Sequence, residues 1–490
     1  MKFQTKTSKE ITSDTVISFI YEDKENKSPL FEYLNELSNN EIKKQLKLGI
    51  IKGKYLETFK IAINENLKVL LMGLGKSKEL TRKKFSIAVS SAARSAKTIS
   101  LNNSIAIELI DYSGEKDSFD KKESAIITIP AARIGLYNFD KYLSNKKPSI
   151  ETLEIIEDEL TQDIEKGAEI GAYISYAMNY AKDLVNEQAQ VATPEYIANK
   201  AVEIAKENNL EIKVFNKKEI EEMNMNAFLA VGQGSINEPK FIHLTYKPNT
   251  TPRKKVALVG KGITFDAGGM NIKPATSMLT MKSDMTGAAS VLGIIQAIAK
   301  LNSDIELHVV SALCENMTSG KAYKQGDVLK AMNGKTIEVD NTDAEGRITL
   351  ADALSYCDRL NADEVIDIAT LTGAVIVSLG HNITGVMGNN QEQIDKFLNI
   401  SKKYCENTWQ MPILDELKDN LKSEIADMKN TGGRNAGTST AAWFLSNFTK
   451  SKSWMHLDIA GTAYLEKSNK ETPFGPTGVM IRSLINYLIN

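Results

Sequence analysis

Residues 255–260 read Lys-Val-Ala-Leu-Val-Gly, and this short apolar run closed by glycine indicates a buried strand. A helical segment rich in alanine, isoleucine and leucine follows at Thr286–Lys300, and further apolar strands are predicted at Glu306–Leu313 and Glu364–Ala369. Apolar strands that alternate with helices are typical of a parallel sheet buried on both faces. The sequence therefore predicts an α/β fold with a mostly parallel central sheet for this part of the chain.

The length of the chain predicts more than one domain. It has 490 residues, which exceeds the roughly 250–300 at which single cores usually divide. Short strand-like segments, among them Ala125–Ile129, alternate with helical ones and predict a small α/β domain over residues 1–150. A long helical pattern at Ile150–Asn186 is interpreted as a linking helix, assigned to residues 151–185. The larger α/β domain then takes residues 186–490.

Composition limits the class of protein and its compartment. Hydrophobic residues make up 42% and charged residues 25%, which is typical of globular domains. The polar start at Met1–Lys6 argues against a secretory signal, and no window approaches the roughly 20 apolar residues that span a bilayer. The three cysteines are widely spaced and lack a zinc-finger pattern, which suits a reducing compartment. We expect a cytoplasmic protein without a membrane partner.

Charge is distributed unevenly along the chain. Residues 1–150 hold 26 Lys/Arg against 18 Asp/Glu, a net charge of +8, whereas the remainder holds 34 against 44, a net charge of −10. A basic surface attracts polyanions, so nucleic-acid binding by the N-terminal part is one hypothesis. A solvated lysine-rich face is the simpler interpretation of the same charge.

Two groups of polar side chains follow predicted strands. The segment Asn341–Arg347 reads Asn-Thr-Asp-Ala-Glu-Gly-Arg after one strand, and the glycine-rich segment Val259–Gly269 begins at the end of another. Ligands of open α/β sheets bind outside the carboxyl ends of the strands, so the two groups should meet in one crevice. The polar residues expected there are Lys261, Asp266, Lys273, Asp284, Asp343, Glu345 and Arg347.

The carboxylates of this set suit a two-metal hydrolase site. Two divalent ions roughly 3.5–4 Å apart can share a bridging water and stabilise a tetrahedral transition state. Oxygen ligands suit manganese, zinc and magnesium, of which manganese and zinc are the expected ions. The chain has four histidines, all assigned to packing or the surface, so a histidine-rich zinc site is not expected.

These motifs resemble those of the cytosolic leucyl aminopeptidase family. The resemblance runs through residues 165–490 and keeps the spacing of the polar positions. It implies a metal-dependent aminopeptidase that releases N-terminal leucine and other mainly apolar residues from peptides, and a homohexameric assembly. The segments that carry it are Val259–Gly269, Asn271–Pro274, Met281–Gly287, Asn341–Arg347, Thr370–Ala374 and Asp427–Asn430.

Carried over position by position, the resemblance implies a metal role for five residues. Asp266 and Glu345 would bridge both ions, and Asp343 would complete the first site. Lys261 and Asp284 would complete the second. A lysine ligates metal only as the neutral amine, which burial and nearby divalent charge both favour by lowering its pKa.

The resemblance also implies catalytic and substrate-binding roles. Lys273 would contact the carbonyl oxygen of the substrate and stabilise the oxyanion that develops there. Arg347 would hold a bicarbonate ion as general base, since its planar guanidinium matches a carboxylate-shaped anion. An apolar pocket discriminates weakly between apolar side chains, because each methylene changes the binding free energy by only about 1–3 kcal/mol. A broad preference that includes leucine is therefore expected. The residues expected to line that pocket are Met281, Thr370, Gly373 and Ala460.

Two other functions stay open at this point. The first is a DNA-binding accessory or regulatory role, in addition to or in place of peptidase activity. Some family members bind DNA, and residues 1–150 are basic enough for salt-dependent binding. The second is a two-metal phosphoesterase, which would use the same carboxylates but would also need a phosphate clamp rich in arginine or histidine. The sequence offers no such clamp.

Overall fold

The computed structural model describes all residues from 1 to 490. They form two compact units, of which the first comprises Met1–Ser175 together with Glu466–Phe474. The second comprises Tyr176–Leu465 and Gly475–Asn490. None of the helices combines the length and the apolar character that a membrane crossing requires.

The first unit is built on a six-stranded sheet, ordered β1-β8-β5-β2-β4-β3, in which every neighbouring pair is parallel except β3 and β4. A small separate hairpin pairs β6 with β7. The strands are β1 (Lys2–Lys6), β2 (Thr15–Ile20), β3 (Thr58–Asn64), β4 (Leu67–Gly73), β5 (Ser104–Glu108), β6 (Tyr112–Ser113), β7 (Ser118–Phe119) and β8 (Thr152–Ile156). The helices are α1 (Pro29–Leu37), α2 (Glu41–Lys47), α3 (Arg82–Lys97), α4 (Lys121–Leu136) and α5 (Gln162–Asn186), with 3-10 turns at Ser8–Glu10 and Ser77–Glu79.

Both faces of this sheet are buried. Every residue of β2 is buried, and its side chains alternate between the two faces. Val16 and Ile20 belong to the same apolar cluster as Phe31 of α1. Phe19 lies edge-on against Phe85 of α3, with ring centroids 5.3 Å apart. Helices therefore cover the sheet on both sides, which confirms the predicted small α/β domain.

The second unit contains a nine-stranded sheet, with β12 paired to β13 beside the main path β18-β17-β20-β16-β11-β13-β10-β9. Two smaller sheets complete the unit: β14, β15 and β19 form one, and β21 pairs with β22 in the other. The strands of the unit are β9 (Glu211–Phe215), β10 (Lys240–Tyr246), β11 (Lys255–Gly260), β12 (Gly262–Asp266), β13 (Glu306–Asn316), β14 (Val328–Lys330), β15 (Thr336–Glu338), β16 (Glu364–Ala369), β17 (Thr384–Gly388), β18 (Thr408–Gln410), β19 (Met428–Lys429), β20 (Trp454–Asp458), β21 (Tyr464–Leu465) and β22 (Gly475–Pro476). After α5 its helices are α6 (Pro194–Asn208), α7 (Lys217–Glu222), α8 (Asn226–Gly232), α9 (Ala275–Met278), α10 (Thr286–Lys300), α11 (Glu345–Cys357), α12 (Gly373–Leu379), α13 (Gln391–Lys403), α14 (Gly437–Ser446) and α15 (Ile481–Ile489), with 3-10 turns at Met281–Met285 and Asp415–Leu421.

The centre of the larger sheet is parallel and buried between helices. Strands β20, β16, β11 and β13 run in one direction, while β10, β9 and β17 add antiparallel neighbours. Ala257 and Val259 of β11 share an apolar core with Leu354 of α11. On the other face, a Cβ added at Gly260 would lie 2.5 Å from the carbonyl oxygen of Gly287 in α10, so only glycine fits there. The predicted, mostly parallel central sheet is confirmed.

Two predicted elements were wrong. Ala125–Ile129, predicted as a strand, lies inside α4, where Pro130 is an interior residue. Because almost all of α4 is buried, its sequence lacks the polar stripe that identifies a helix. The helix predicted over Ile150–Asn186 begins only at Gln162, since Thr152–Ile156 forms a strand between β1 and β5. A short apolar run is compatible with either element, and here tertiary pairing decides.

Candidate active site and metal centre

The carboxyl edge of the parallel strands brings the first polar residues together. Gly260 at the end of β11 pairs with Ile368 of β16, and Ala369 of β16 pairs with Asp458 of β20. The Lys261 amide then donates a hydrogen bond of 3.1 Å to the Ile368 carbonyl. Parallel strands that end at a common edge deliver their following loops to one crevice.

Lys261 joins the two halves of the predicted cluster. Its Nζ lies 2.8 Å from Oδ1 of Asp284 and 2.9 Å from Oε1 of Glu345. The same ammonium donates to the carbonyl oxygen of Thr370 at 2.8 Å. Burial lowers the pKa of Lys261, but the charges of Asp284 and Glu345 outweigh it and raise the pKa above its ordinary value. With only these carboxylates as charged neighbours, Lys261 therefore carries its positive charge.

Lys273 forms a second ion-pair group with Asp266 and Asp343. Its Nζ lies 2.8 Å from Oδ2 of Asp266 and 2.5 Å from Oδ1 of Asp343. The other oxygen of Asp266 accepts hydrogen bonds of 2.8 Å from the Gly268 amide and from Nδ2 of Asn316. Gly268 has a φ of +87°, and a Cβ there would lie 2.9 Å from Oδ1 of Asp343. A side chain at position 268 would collide with the carboxylate of Asp343, so glycine is required there.

The carboxylates are crowded and buried. Oxygen atoms of Asp266, Asp343 and Glu345 lie within 4.8 Å of one another. Burial, followed by the negative charge of Glu345, raises the pKa of Asp266 to about 6. Burial also raises the pKa of Asp284 well above its usual range, although Lys261 opposes the shift. Such a cluster stores electrostatic repulsion that additional positive charge would relieve.

The donor set fits divalent metal ions. Oδ2 of Asp284 and Oε2 of Glu345 are buried without a hydrogen-bond partner. Unpartnered carboxylate oxygens are costly to bury unless a cation binds them. Four carboxylates and one amine are the donors here, a set that suits manganese, magnesium or zinc.

Arg347 lies on α11, two residues after Glu345, and is almost completely buried. Its Nη1 donates a hydrogen bond of 2.9 Å to the carbonyl oxygen of Asn430, while its Nε has no partner. Burial lowers the pKa of Arg347 to about 10, and the charges of Glu345 and Asp458 partly oppose this shift. Part of the guanidinium therefore stays available to a planar anion next to the carboxylate cluster.

Asn430 is a functional residue to which sequence reasoning gave no role. Its Oδ1 accepts hydrogen bonds from the amides of Asp340, at 2.8 Å, and Asn341, at 3.2 Å. Its Nδ2 donates to the Asn341 carbonyl at 2.6 Å, and its own carbonyl accepts from Arg347. The segment Asp427–Asn430 was recognised as part of the family pattern, which was the only available signal.

We expect Asn430→Ala to lower kcat roughly 10- to 100-fold, as loss of a group that orients ligands commonly does. The reason is that the start of the Asn341–Arg347 segment would lose the side-chain hydrogen bonds that hold it. The main-chain carbonyl that accepts from Arg347 would remain, but without those bonds its position would be less fixed. Steady-state kinetics and manganese titration measure the effect, with thermal unfolding to confirm the fold. Asn333→Ala, in an exposed turn, is the matched control. Unchanged kcat and metal affinity in Asn430→Ala would contradict this positioning role.

A cavity of about 730 Å³ opens beside the cluster and is lined in part by Asp343, Arg347 and Gly373. Thr370 instead binds the cluster itself, since its hydroxyl donates to Oδ1 of Asp284 at 2.7 Å. Leu371 and Thr372, which had no predicted role, also line the cavity. Three of the four residues predicted for the side-chain pocket are absent from this lining: Met281, Thr370 and Ala460.

The four histidines lie outside the carboxylate cluster. Nε2 of His243 lies 3.0 Å from Nδ1 of His308 within the sheet. Nδ1 of His456 lies 2.5 Å from Oδ1 of Asp367, and both side chains are fully buried. His381 is exposed and contacts a backbone carbonyl. These contacts agree with the packing or surface roles expected from the sequence.

The His243 environment predicts acid destabilisation. Burial, with a smaller contribution from His308, lowers the pKa of His243 from 6.5 to about 4. The unfolded chain therefore binds more protons between these two pH values, so the free energy of unfolding should fall as pH decreases from 6.5 towards 4. The expected loss is roughly 3 kcal/mol for this group.

Urea unfolding of the wild type and of His243→Gln across this pH range measures the contribution. The variant should show a shallower pH dependence, and the exposed-histidine control His381→Gln should behave as the wild type does. An unchanged slope in His243→Gln would refute the assignment.

Comparison with known proteins identifies both parts of the chain. The model of the cytosol aminopeptidase family catalytic domain matches residues 179–485, and that of the family's N-terminal domain matches residues 16–146. The probable cytosol aminopeptidase of Persephonella marina is 39% identical over 482 residues, which cover 97% of this chain and 96% of the relative. The probable cytosol aminopeptidase of Clostridium perfringens is 41% identical over 494 residues, covering 98% of each chain.

Solved structures agree with these sequence matches. A mutant of tomato leucine aminopeptidase superposes with a TM-score of 0.88 and 31% identity, covering 100% of this chain and 96% of its own. The bottromycin maturation enzyme BotP, in complex with Mn, superposes with a TM-score of 0.85 and 29% identity, covering 97% of this chain and 99% of its own.

Proposed function

This chain belongs to the cytosol aminopeptidase family, so it is a metal-dependent aminopeptidase, and we propose that two divalent ions held by its carboxylate–lysine cluster serve that activity. The observation that carries the proposal is the position of Lys261, whose Nζ contacts Asp284 and Glu345 at 2.8 and 2.9 Å. The manganese complex of BotP supports manganese as the ion, with zinc and magnesium as alternatives. The proposed ligands are Lys261, Asp266, Asp284, Asp343 and Glu345.

The chain's own residues are proposed to position and polarise the peptide. Bound divalent ions supply Lewis-acid polarisation of the scissile carbonyl and activation of water. Lys273 would donate a hydrogen bond to the oxyanion that develops on that carbonyl, since its ammonium is already fixed between Asp266 and Asp343. A free N-terminal amine could ligate the second ion when it is bound, which an internal peptide bond cannot do, so the arrangement favours release of the N-terminal residue.

Arg347 is proposed to hold a bicarbonate ion, whose chemistry is that of a general base. The buried guanidinium with its unpartnered Nε supports this assignment. None of the four histidines lies in the cluster, so no imidazole is placed to do the same work. For the first side chain of the peptide we retain the pocket predicted from the family, with leucine and other apolar residues preferred. Its residues are Met281, Thr370, Gly373 and Ala460.

The proposal extends to assembly and compartment. Residues 186–490 would form the catalytic domain and residues 1–150 a domain for oligomerisation or regulation. Of the link predicted at residues 151–185, only the part after β8 remains, because β8 belongs to the N-terminal sheet. A homohexamer in the cytoplasm is proposed from the family membership. Sedimentation equilibrium should then give about six times the chain mass of 54.1 kDa. A monomer or dimer at micromolar concentration would contradict this assembly.

The reaction itself is tested with leucine p-nitroanilide and Leu-Gly. We expect hydrolysis of both in the presence of added manganese, complete loss after treatment with a chelator, and recovery when manganese is restored. Hydrolysis of p-nitrophenyl phosphate without any peptidase activity would favour the phosphoesterase alternative instead. The relatives and structures described above name no nucleic-acid function, so the comparisons give no support to the DNA-binding alternative.

A further inference from the structure

Arg434 is a cation in the active-site cavity that the proposed mechanism does not use. The cavity of about 730 Å³ that is lined by Asp343 and Arg347 is also lined by Arg434. Arg347 is almost completely buried and donates to the Asn430 carbonyl. Arg434 is exposed to the cavity and has no hydrogen bond, ion pair or aromatic contact. Its charge is therefore free to act on a ligand.

The carboxylates near the cavity do not neutralise Arg434. Asp343 lies 2.5 Å from the ammonium of Lys273. Asp340, which also lines the cavity, accepts a hydrogen bond of 2.8 Å from the Thr431 hydroxyl and has Lys429 at 3.9 Å. Both acidic side chains thus have partners of their own. An unpaired guanidinium in a polar cavity favours an anionic group on whatever binds there.

The segment around Arg434 offers further donors to an anion. Gly433, with a φ of +78°, and Ala436, with a φ of 52°, turn the chain into α14. No side chain caps the N-terminus of α14, and the Thr438 and Ser439 at its start line the same cavity. Helix N-termini and hydroxyl groups stabilise negative charge, so they would assist Arg434 without defining a site alone.

We infer that Arg434 binds the C-terminal carboxylate of short peptides, so that di- and tripeptides with a free C-terminus are the preferred substrate class. The inference rests on the proposed function, which places the free amine of the peptide at the acidic cluster. A cavity of about 730 Å³ is of the size that buries most of the surface of a small ligand. Both ends of a short peptide then have a partner beside one cavity: the amine at the metal-binding cluster and the carboxylate at the guanidinium.

Planar bidentate pairing makes arginine more effective than lysine at such a position. Loss of one charge-assisted pair at a partly exposed site corresponds to roughly tenfold in binding. Arg434→Ala should therefore lower kcat/KM for Leu-Gly by about tenfold, mostly through a higher KM. Arg434→Lys should fall between the wild type and Arg434→Ala.

The test compares four substrates that share leucine at the N-terminus: Leu-Gly, Leu-Gly-Gly, Leu-Gly amide and leucine p-nitroanilide. The first two carry a C-terminal carboxylate, and the last two do not. With manganese present, Arg434→Ala should weaken the first pair and leave the second pair within about twofold. Arg359→Ala, which removes an exposed arginine at the end of α11, is the matched control and should leave all four unchanged.

A charge reversal strengthens the test. Arg434→Glu should penalise Leu-Gly further and should favour the aminoethyl amide of leucine, whose distal group is a cation. Equal losses on all four substrates in Arg434→Ala would show a structural role and overturn the inference, as would unchanged KM for Leu-Gly. A wild-type protein that hydrolyses none of the four would instead contradict the proposed function itself.

Discussion

Replacing Asp343 with alanine should lower kcat/KM for leucine p-nitroanilide by about a thousandfold and should also reduce the amount of manganese bound per chain. A divalent ion acting as Lewis acid contributes several kcal/mol to the transition state, and each step of about 1.4 kcal/mol is tenfold in rate. Asp343 contributes one of three carboxylates whose oxygens lie within 4.8 Å of one another. Removing it opens one ion site while leaving Asp266 and Glu345 in place.

The fold should survive this change, because the Asp343 side chain is 32% exposed. Thermal unfolding without metal should therefore stay close to that of the wild type. Metal content is measured by atomic emission after dialysis against manganese, which separates a binding defect from a purely catalytic one. Asp395→Ala removes an exposed carboxylate on α13 and is the control. Full activity with full metal content in Asp343→Ala would remove this residue from the metal centre.

The residues of the carboxylate–lysine cluster were selected from sequence because they follow predicted strands and keep the spacing of a known family, and their metal roles rest on that resemblance. Lys261 follows β11 directly, and Glu345 begins α11 after the short strand β15. The general location of ligand sites at the carboxyl edge of parallel strands accounts for the Lys261 segment. β15, however, belongs to a separate three-stranded sheet with β14 and β19, so the expectation that both segments follow strands of one parallel sheet was wrong, and tertiary packing brings Asn341–Arg347 to the crevice. The structure places Lys261 in contact with Asp284 and Glu345, which share no local sequence with it.

Asn430 could not be assigned in the same way, because its role depends on a tertiary contact. Its side chain meets the Asp340 and Asn341 amides, some 90 positions earlier in the chain, since β15 and β19 pair in parallel. Both strands are short, and neither has a pattern that identifies the other as its partner. The role of such a buried asparagine can be assigned only when its hydrogen bonds are known.

The composition of the first unit was unpredictable for a related reason. Its small segment Glu466–Phe474 begins nearly three hundred positions after Ser175, where the rest of the unit ends. Glu471 forms an ion pair of 2.6 Å with Lys83, and its carbonyl accepts a hydrogen bond of 2.5 Å from the Ser90 hydroxyl. Nine residues without periodicity, seven of them polar, predict a surface loop, and nothing local in them indicates the helix that they contact.

Gly346→Ala should cost the enzyme at least about 100-fold in activity through displacement of a single ligand. A Cβ at position 346 would lie 2.4 Å from Cε and 2.6 Å from Nζ of Lys261. Real Cβ atoms do not approach other atoms so closely, so the lysine must move. Its contacts with Asp284 and Glu345 would break, and the amine proposed as a metal ligand would leave the cluster.

Two effects on the stability of this variant oppose each other: alanine favours the helix, but the displaced lysine leaves Asp284 and Glu345 without a buried ion-pair partner. Gly346 lies in the first turn of α11 with an ordinary helical φ, and alanine in a helix is up to about 1 kcal/mol more favourable than glycine. Calorimetric titration with manganese should therefore show weaker binding, and thermal unfolding without metal should show a net loss of stability, because the broken ion pairs outweigh the gain in the helix. Gly320→Ala, where an added Cβ meets nothing within 4 Å, should leave both properties unchanged. Wild-type metal affinity in Gly346→Ala would show that the second ion does not depend on Lys261, because the amine cannot keep its position beside that Cβ.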